Sequence, residues 1–191
     1  MDVDGTDTPI NAPVVPSPRL HAQDPTRGRS NSPVIPPDTD PDAPILFYHR
    51  NESYYEFTNF APSPIHWADG KTYPTAEHLF QAHKFMPTRA DLAERIRKLH
   101  TPREALDEAG RLRRLQRPDW FDVNVDIMDE ILKAKFTQHQ GLRGLLLSTG
   151  DRDIVEDSPV DSFWGWGHDR EGRNELGKAL VRLREKLRHG Q

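Results

Sequence analysis

The chain has 191 residues, a formal charge of −4, 17 prolines and no cysteine, and only 35% of its residues are hydrophobic. The lack of cysteine excludes disulfides, thiolate zinc sites and a cysteine nucleophile, and no window approaches the roughly 18 consecutive apolar residues of a membrane span. The acidic start lacks the basic-then-apolar layout of a secretory signal, so a soluble, cytoplasmic protein is expected, with nuclear access left open.

The hydrophobic deficit is local. Ten of the 17 prolines fall in residues 1–44, together with seven aspartates and three arginines, which leaves 23 acids and 23 bases for residues 45–191. A Pro/Asp-rich arm over 1–44 cannot bury enough apolar surface to offset its ordering entropy and is expected to be disordered. Residues 45–191 suit one compact domain without internal repeats.

Within that domain, "ILFYH" from Ile45 predicts a strand, and the proline-interrupted "YYEFTNFAPSPIHW" a loop. Asp69-Gly70 predicts a hairpin turn between two short strands. Thr75 is placed to cap a first helix that runs to about Met86, with Leu79 and Phe80 on its apolar side. Thr88 with Asp91, and Thr101 with Pro102 and Glu104, read as capping signals for a second and a third helix, the third ending at Gly110. Ile127 to Phe136 mark a fourth helix, "GLRGLLLSTG" a fifth and "DIVEDS" a short strand. Gly165, Gly167 and Gly172 keep the next stretch irregular until Asn174. Leu176, Leu180, Leu183 and Leu187 then line the seam of a terminal helix. The expected fold class is α+β, mostly helical, with a minor β component.

Helix one raises a chemical question, because Glu77, Gln81 and Lys84 share one stripe at spacings of four and three. They can meet one ligand; the plain alternative is a solvated polar face. His78 and His83 are five apart, so their rings diverge and do not make the zinc pair of an i, i+4 helix, and no metal site is expected. The stretch "DSFWGWGHDREGRN" joins Asp161 to Trp164, Trp166 and three glycines, which suits either backbone contact with phosphate and stacking on a base, or a tight loop with core tryptophans. Residues 88–117 hold nine bases against five acids. The neutral balance of the domain nonetheless argues against nucleic-acid binding by bulk electrostatics.

Four ordered blocks, "FYHRNESYYEFTNFAPSPI", "GKTYPTAEHLFQAHKF", "RPDWFDVNVDIMDEILKAKFTQH" and "DSFWGWGHDREGRNELGKAL", together resemble the NADAR, or YbiA-like, family over about Ile45 to Leu187. The family's T-x-E-H-x-x-Q-A-x-K block falls on Thr75, Glu77, His78, Gln81, Ala82 and Lys84. The resemblance implies a single YbiA-like domain and an N-glycosidase without metal or organic cofactor. Its implied substrate is phosphoribosylated, as in riboflavin synthesis, or an ADP-ribosylated guanine, on a free nucleotide or on nucleic acid.

Breaking a C–N glycosidic bond passes through a ribosyl cation, so the chemistry needs a carboxylate for the charge and a group to manage protons. The resemblance gives these tasks to Glu77 and Asp161, with either order of roles open. Lys84 is left as a cationic contact or as a nucleophile at the anomeric carbon. The resemblance also sets Asn59, Phe60, His78, Gln81, Trp120, Trp164, Gly165, Gly167 and Asn174 against the substrate. Trp166 departs from the family pattern, standing where riboflavin-type members have a small or acidic residue. Two other readings remain: a non-catalytic ADP-ribose or NAD reader, and a nucleic-acid-binding protein that uses the basic stretch.

Overall fold

A computed structural model describes Asp40 and residues 42–190. The predicted disordered arm lies, but for its last few residues, outside them. Six helices and four short strands make up the rest, in the mostly helical α+β architecture expected from the sequence.

The strands form two small pairs. β1 (Ile45–Phe47) runs parallel to β4 (Ile154–Glu156), with Ile45 opposite Ile154 and Phe47 opposite Glu156. β2 (Ile65–His66) and β3 (Thr72–Tyr73) are antiparallel across the predicted turn. Gly70 supplies its positive φ of 79°. Asp69 stabilises the turn by accepting from the Lys71 backbone N–H at 3.0 Å and from the Tyr73 hydroxyl at 2.8 Å.

The helices are α1 (Ala76–His83), α2 (Ala90–Arg97), α3 (Pro102–Arg111), α4 (Trp120–Gln138), α5 (Gln140–Ser148) and α6 (Glu175–Arg188). Thr75 caps α1 by accepting from the His78 N–H. At α3 the predicted capping box is complete, with Thr101 and Glu104 each accepting from the other's backbone. Three boundaries differ from expectation. α1 stops at His83, with Lys84 as its C-cap, because residues 84–89 form consecutive turns. Thr88 caps nothing, since α2 begins one residue later than its signal and Arg89 stands at the N-cap without a side-chain bond. α4 starts at Trp120, about two turns ahead of its apolar run.

α1 is the centre of the domain, packed against α2, α3 and α4, while α4 and α6 pair on the other side and α6 covers β4. Seven of its eight residues, Ala76 to Ala82, are buried. Phe57 joins the strands to α4, its ring 5.8 Å from Phe47 and 5.7 Å from Phe136. One buried cation crosses this layer. Lys135, with no exposed surface, donates from Nζ to the carbonyls of Glu56 at 2.6 Å and Thr58 at 2.8 Å, and burial pushes its pKa down to about 7. The bond ties α4 to the 3-10 turn Tyr55–Phe57 and so fixes the start of the loop that carries Asn59. No helix among the described residues is long and apolar enough to cross a membrane.

Candidate active site

A cavity of about 450 Å³ opens beside α1 and holds the predicted stripe. Glu77, Gln81 and Lys84 line it from α1, Trp120 and Asn124 from the first turn of α4, and Asn59 and Phe60 from the loop before β2. Asp161, Phe163 and Trp164 close it from the segment after β4. Each part is anchored by backbone. The Glu77 N–H donates to the Asn59 carbonyl at 3.0 Å, which sets that loop beside the acid. The Arg117 N–H donates to the Lys84 carbonyl at 2.7 Å, which holds the entrance of α4 against the end of α1.

Since α1 is buried, its polar stripe is not a solvated face. Glu77 is 6% exposed and accepts from Gln81 Nε2 at 2.7 Å. Burial pushes its carboxyl up to about 7; the Gln81 bond and the Lys84 charge oppose this, and the negative charge of Asp161 adds to it. Near neutral pH Glu77 is therefore divided between acid and carboxylate. Lys84 sits with Nζ 5.5 Å from the centre of the Trp120 ring, and burial lowers its pKa, against the attraction of Glu77.

Asp161 is held differently. Its Oδ1 accepts from the backbone N–H groups of Phe163 at 2.9 Å and Trp164 at 2.8 Å. Two carboxyl groups in one cavity thus occupy environments that separate their tasks, one apolar and one rich in donors. The walls are aromatic: Phe80 lies 4.9 Å from Trp120 and 5.2 Å from Trp164, centre to centre. Three amide oxygens, those of Asn59, Gln81 and Asn124, are buried at this cavity without a hydrogen-bond partner among the described residues. Together they offer acceptors to a ligand that carries hydroxyl or amine donors.

The structure therefore brings Glu77, Lys84, Asp161, Asn59, Phe60, Gln81, Trp120 and Trp164 to one cavity, and it leaves four expected residues off its wall. His78 is fully buried between the Thr75 hydroxyl at 2.8 Å and the Leu99 carbonyl at 3.2 Å, and it fixes the α2–α3 connection to α1. Gly165 packs where a Cβ would stand 2.6 Å from the Glu156 carbonyl. Gly167 has a φ of 71° in a loop where the Trp166 N–H donates to the Glu156 carbonyl and the N–H groups of Gly172, Arg173 and Asn174 donate to carbonyls of the loop itself. The Asn174 side chain bridges the Ile154 carbonyl and the Glu156 N–H, which ties α6 to β4.

Asn124, Leu106, Phe121 and Phe163 line the cavity and were not anticipated. Asn124 carried a signal: it occupies a buried position of α4, between Trp120 and Met128, where an apolar residue would normally sit. Glu156 is a further acid of this region, its carboxyl pushed up to about 8 by burial and by the charges of Asp161 and Glu77. Trp166 lies away from the cavity, with the Arg170 guanidinium 5.5 Å from its ring. Among the described residues no group of three or more His, Cys, Asp or Glu is placed to hold a metal ion.

Comparison with known proteins fits this architecture. The NADAR domain family matches residues 46–188, and the chain belongs to that family. It is 41% identical over 146 residues to the N-glycosidase YbiA of Escherichia coli (strain K12), covering 76% of this chain and 89% of that one. It is 42% identical over 147 residues to the N-glycosidase Npun_R5314 of Nostoc punctiforme, covering 76% and 93%. A riboflavin biosynthesis protein of Vibrio vulnificus, VVA0006, is 39% identical over 144 residues, 75% of this chain and 38% of that one. The NMR structure of E. coli YbiA superposes with a TM-score of 0.71 at 40% identity, covering 78% of this chain and 87% of that one.

Proposed function

We propose that this cavity hydrolyses the N-glycosidic bond of a phosphoribosylated pyrimidine-type compound or an ADP-ribosylated guanine. The enzyme is a hydrolase of N-glycosyl bonds, in keeping with relatives named N-glycosidases over most of their length. The observation that carries the reading is the pairing, in one aromatic-walled cavity, of a buried carboxyl raised to about 7 with a second carboxyl anchored by two backbone N–H donors.

The chemistry follows from that pairing. As the C1′–N bond breaks, its electron pair leaves with the base nitrogen, which takes the proton of Glu77. The ribosyl cation is stabilised by Asp161. Glu77, now a carboxylate, takes a proton from the water whose oxygen bonds to C1′, so the acid is restored and the ribosyl group leaves as a hemiacetal. Trp120 and Trp164 present ring faces or edges for a planar base, and the orphan amide oxygens of Asn59, Gln81 and Asn124 accept from its amine or from ribose hydroxyls. Lys84 either contacts a phosphate or the sugar as a cation or, in its neutral form, attacks the anomeric carbon as a nucleophile that opens the sugar to a Schiff base. The reaction needs no organic cofactor or metal in this scheme.

The test is to incubate the protein with ADP-ribosylated guanosine and, separately, with a phosphoribosylated aminopyrimidine, and to measure released base by chromatography. Release from one substrate alone identifies it. A folded Glu77→Gln protein that keeps wild-type turnover would remove Glu77 from the mechanism, and no release from either substrate would favour a reader. Borohydride added during turnover traps a covalent adduct only if Lys84 forms the Schiff base, so its absence assigns Lys84 the cationic role.

A further inference from the structure

We infer that Arg113, seconded by Arg114, forms an anion site for a phosphate on the ribosyl side of the substrate; the inference rests on the N-glycosidase reading above. The basic stretch supplies the first observation. Of its nine bases, seven stand in ion pairs: Arg89 with Asp91, Arg95 and Arg111 with Glu108, Arg97 and Lys98 with Glu94, Arg103 with Asp107, and Arg117 with Asp119. Arg113 and Arg114 are exposed and make neither an ion pair nor a side-chain hydrogen bond among the described residues. The other seven each have a carboxylate partner, and these two do not.

Their position is the second observation. They stand on the single 3-10 turn Arg113–Leu115 that joins α3 to α4. Leu106 lines the cavity from α3, and the turn begins two residues after that helix ends at Arg111. Just beyond the turn, the Arg117 N–H is bonded to the Lys84 carbonyl, and Trp120 lines the cavity again. The turn is therefore held across the end of α1, between two wall residues. The positive charge of Arg113 reaches Lys84, where it acts with burial against the lysine's protonation.

The substrate's charge is the third consideration. The cavity wall carries two acids, Glu77 and Asp161, and one base, Lys84. A phosphate or pyrophosphate on the same sugar meets two acids and a single base on that wall, so a further cation beside the wall would favour its binding. Arginine suits this, since its planar fork meets two phosphate oxygens at once.

The experiment uses calorimetric titration of wild type, Arg113→Ala, Arg113→Ala/Arg114→Ala and, as a control for lost charge, Arg103→Ala, with ribose 5-phosphate, ADP-ribose and ribose. Thermal melting checks that each variant folds. The expected result is that Arg113→Ala weakens the phosphorylated ligands by about tenfold or more, as loss of a charge-assisted bond does, and leaves ribose and the Arg103→Ala control unchanged. The two phosphorylated ligands separate a terminal monophosphate from a pyrophosphate. In turnover, KM for the phosphoribosylated substrate rises by a similar factor with kcat little altered. Wild-type affinity for both phosphorylated ligands in a folded Arg113→Ala protein would overturn the anion site while leaving base release intact. Weakened phosphate binding in a protein whose wild type releases no base would instead count against the glycosidase reading alone.

Discussion

Replacing Glu77 by glutamine should lower activity and raise stability together, by amounts that depend on pH. The side chain keeps its size and can still accept from Gln81 Nε2, so the change is chiefly one of charge. The carboxyl is raised by burial from 4.5 to about 7. In that window the folded protein holds a proton that the unfolded chain has released, so wild-type stability falls as pH rises from about 4.5 to about 7 and stays level above. At about 1.4 kcal/mol per pKa unit, the glutamine protein should gain about 2–3 kcal/mol on wild type between pH 5 and pH 8. Over the same range kcat/KM should fall by about a hundredfold or more, the usual contribution of a positioned acid–base group. Urea unfolding followed by tryptophan fluorescence at the two pH values, run beside base release, measures both. A stability difference that is the same at pH 5 and pH 8 would refute a carboxyl held protonated by burial.

Asp161→Asn removes a charge that raises the Glu77 pKa, so the midpoint of that pH-dependent stability difference should move to lower pH; a midpoint that stays in place would show that the two acids do not sense each other. Asn124→Ala deletes a buried amide whose oxygen has no partner, so KM should rise about tenfold while stability changes by less than about 1 kcal/mol, as steady-state kinetics and melting would show. Lys135→Met strands the Glu56 and Thr58 carbonyls and should cost about 2–4 kcal/mol, with faster amide hydrogen exchange around Asn59; unchanged exchange would separate the lysine from the loop. Gly177→Ala would gain up to about 1 kcal/mol from helix propensity, yet its Cβ would stand 2.0 Å from the Ile154 carbonyl, so denaturant melts should show a net loss.

Local chemistry made part of the fold legible. Thr101 and Glu104, Asp69-Gly70 and the leucine seam of α6 each follow short-range rules that tertiary packing did not override. The Glu77, Gln81 and Lys84 stripe was visible as a periodicity that solvation alone leaves unexplained, and the structure buries Glu77 and Gln81 and turns all three to the cavity. The start of α4 was hidden by the cavity itself: Asn124 interrupts the apolar period and Phe121 is exposed at the cavity rim, so the pattern emerged only from Ile127. The glycines of the 165–172 loop could not be sorted by sequence, because whether a glycine serves a ligand or a neighbouring carbonyl depends on what lies across from it. For Gly165 that neighbour is Glu156, at the end of β4.

The parallel pairing of β1 with β4 has a consequence for synthesis. The strand that opens the domain finds its partner only after five helices have been made, and the stretch that brings Asp161 and Trp164 follows that partner. During translation Glu77 and Lys84 emerge long before the residues that face them, and the apolar edge of β1 waits unpaired for most of that time. Such distant contacts close late and slowly. A nascent chain of this protein is therefore most exposed to aggregation, and most in need of a chaperone, between the release of α1 and the release of β4.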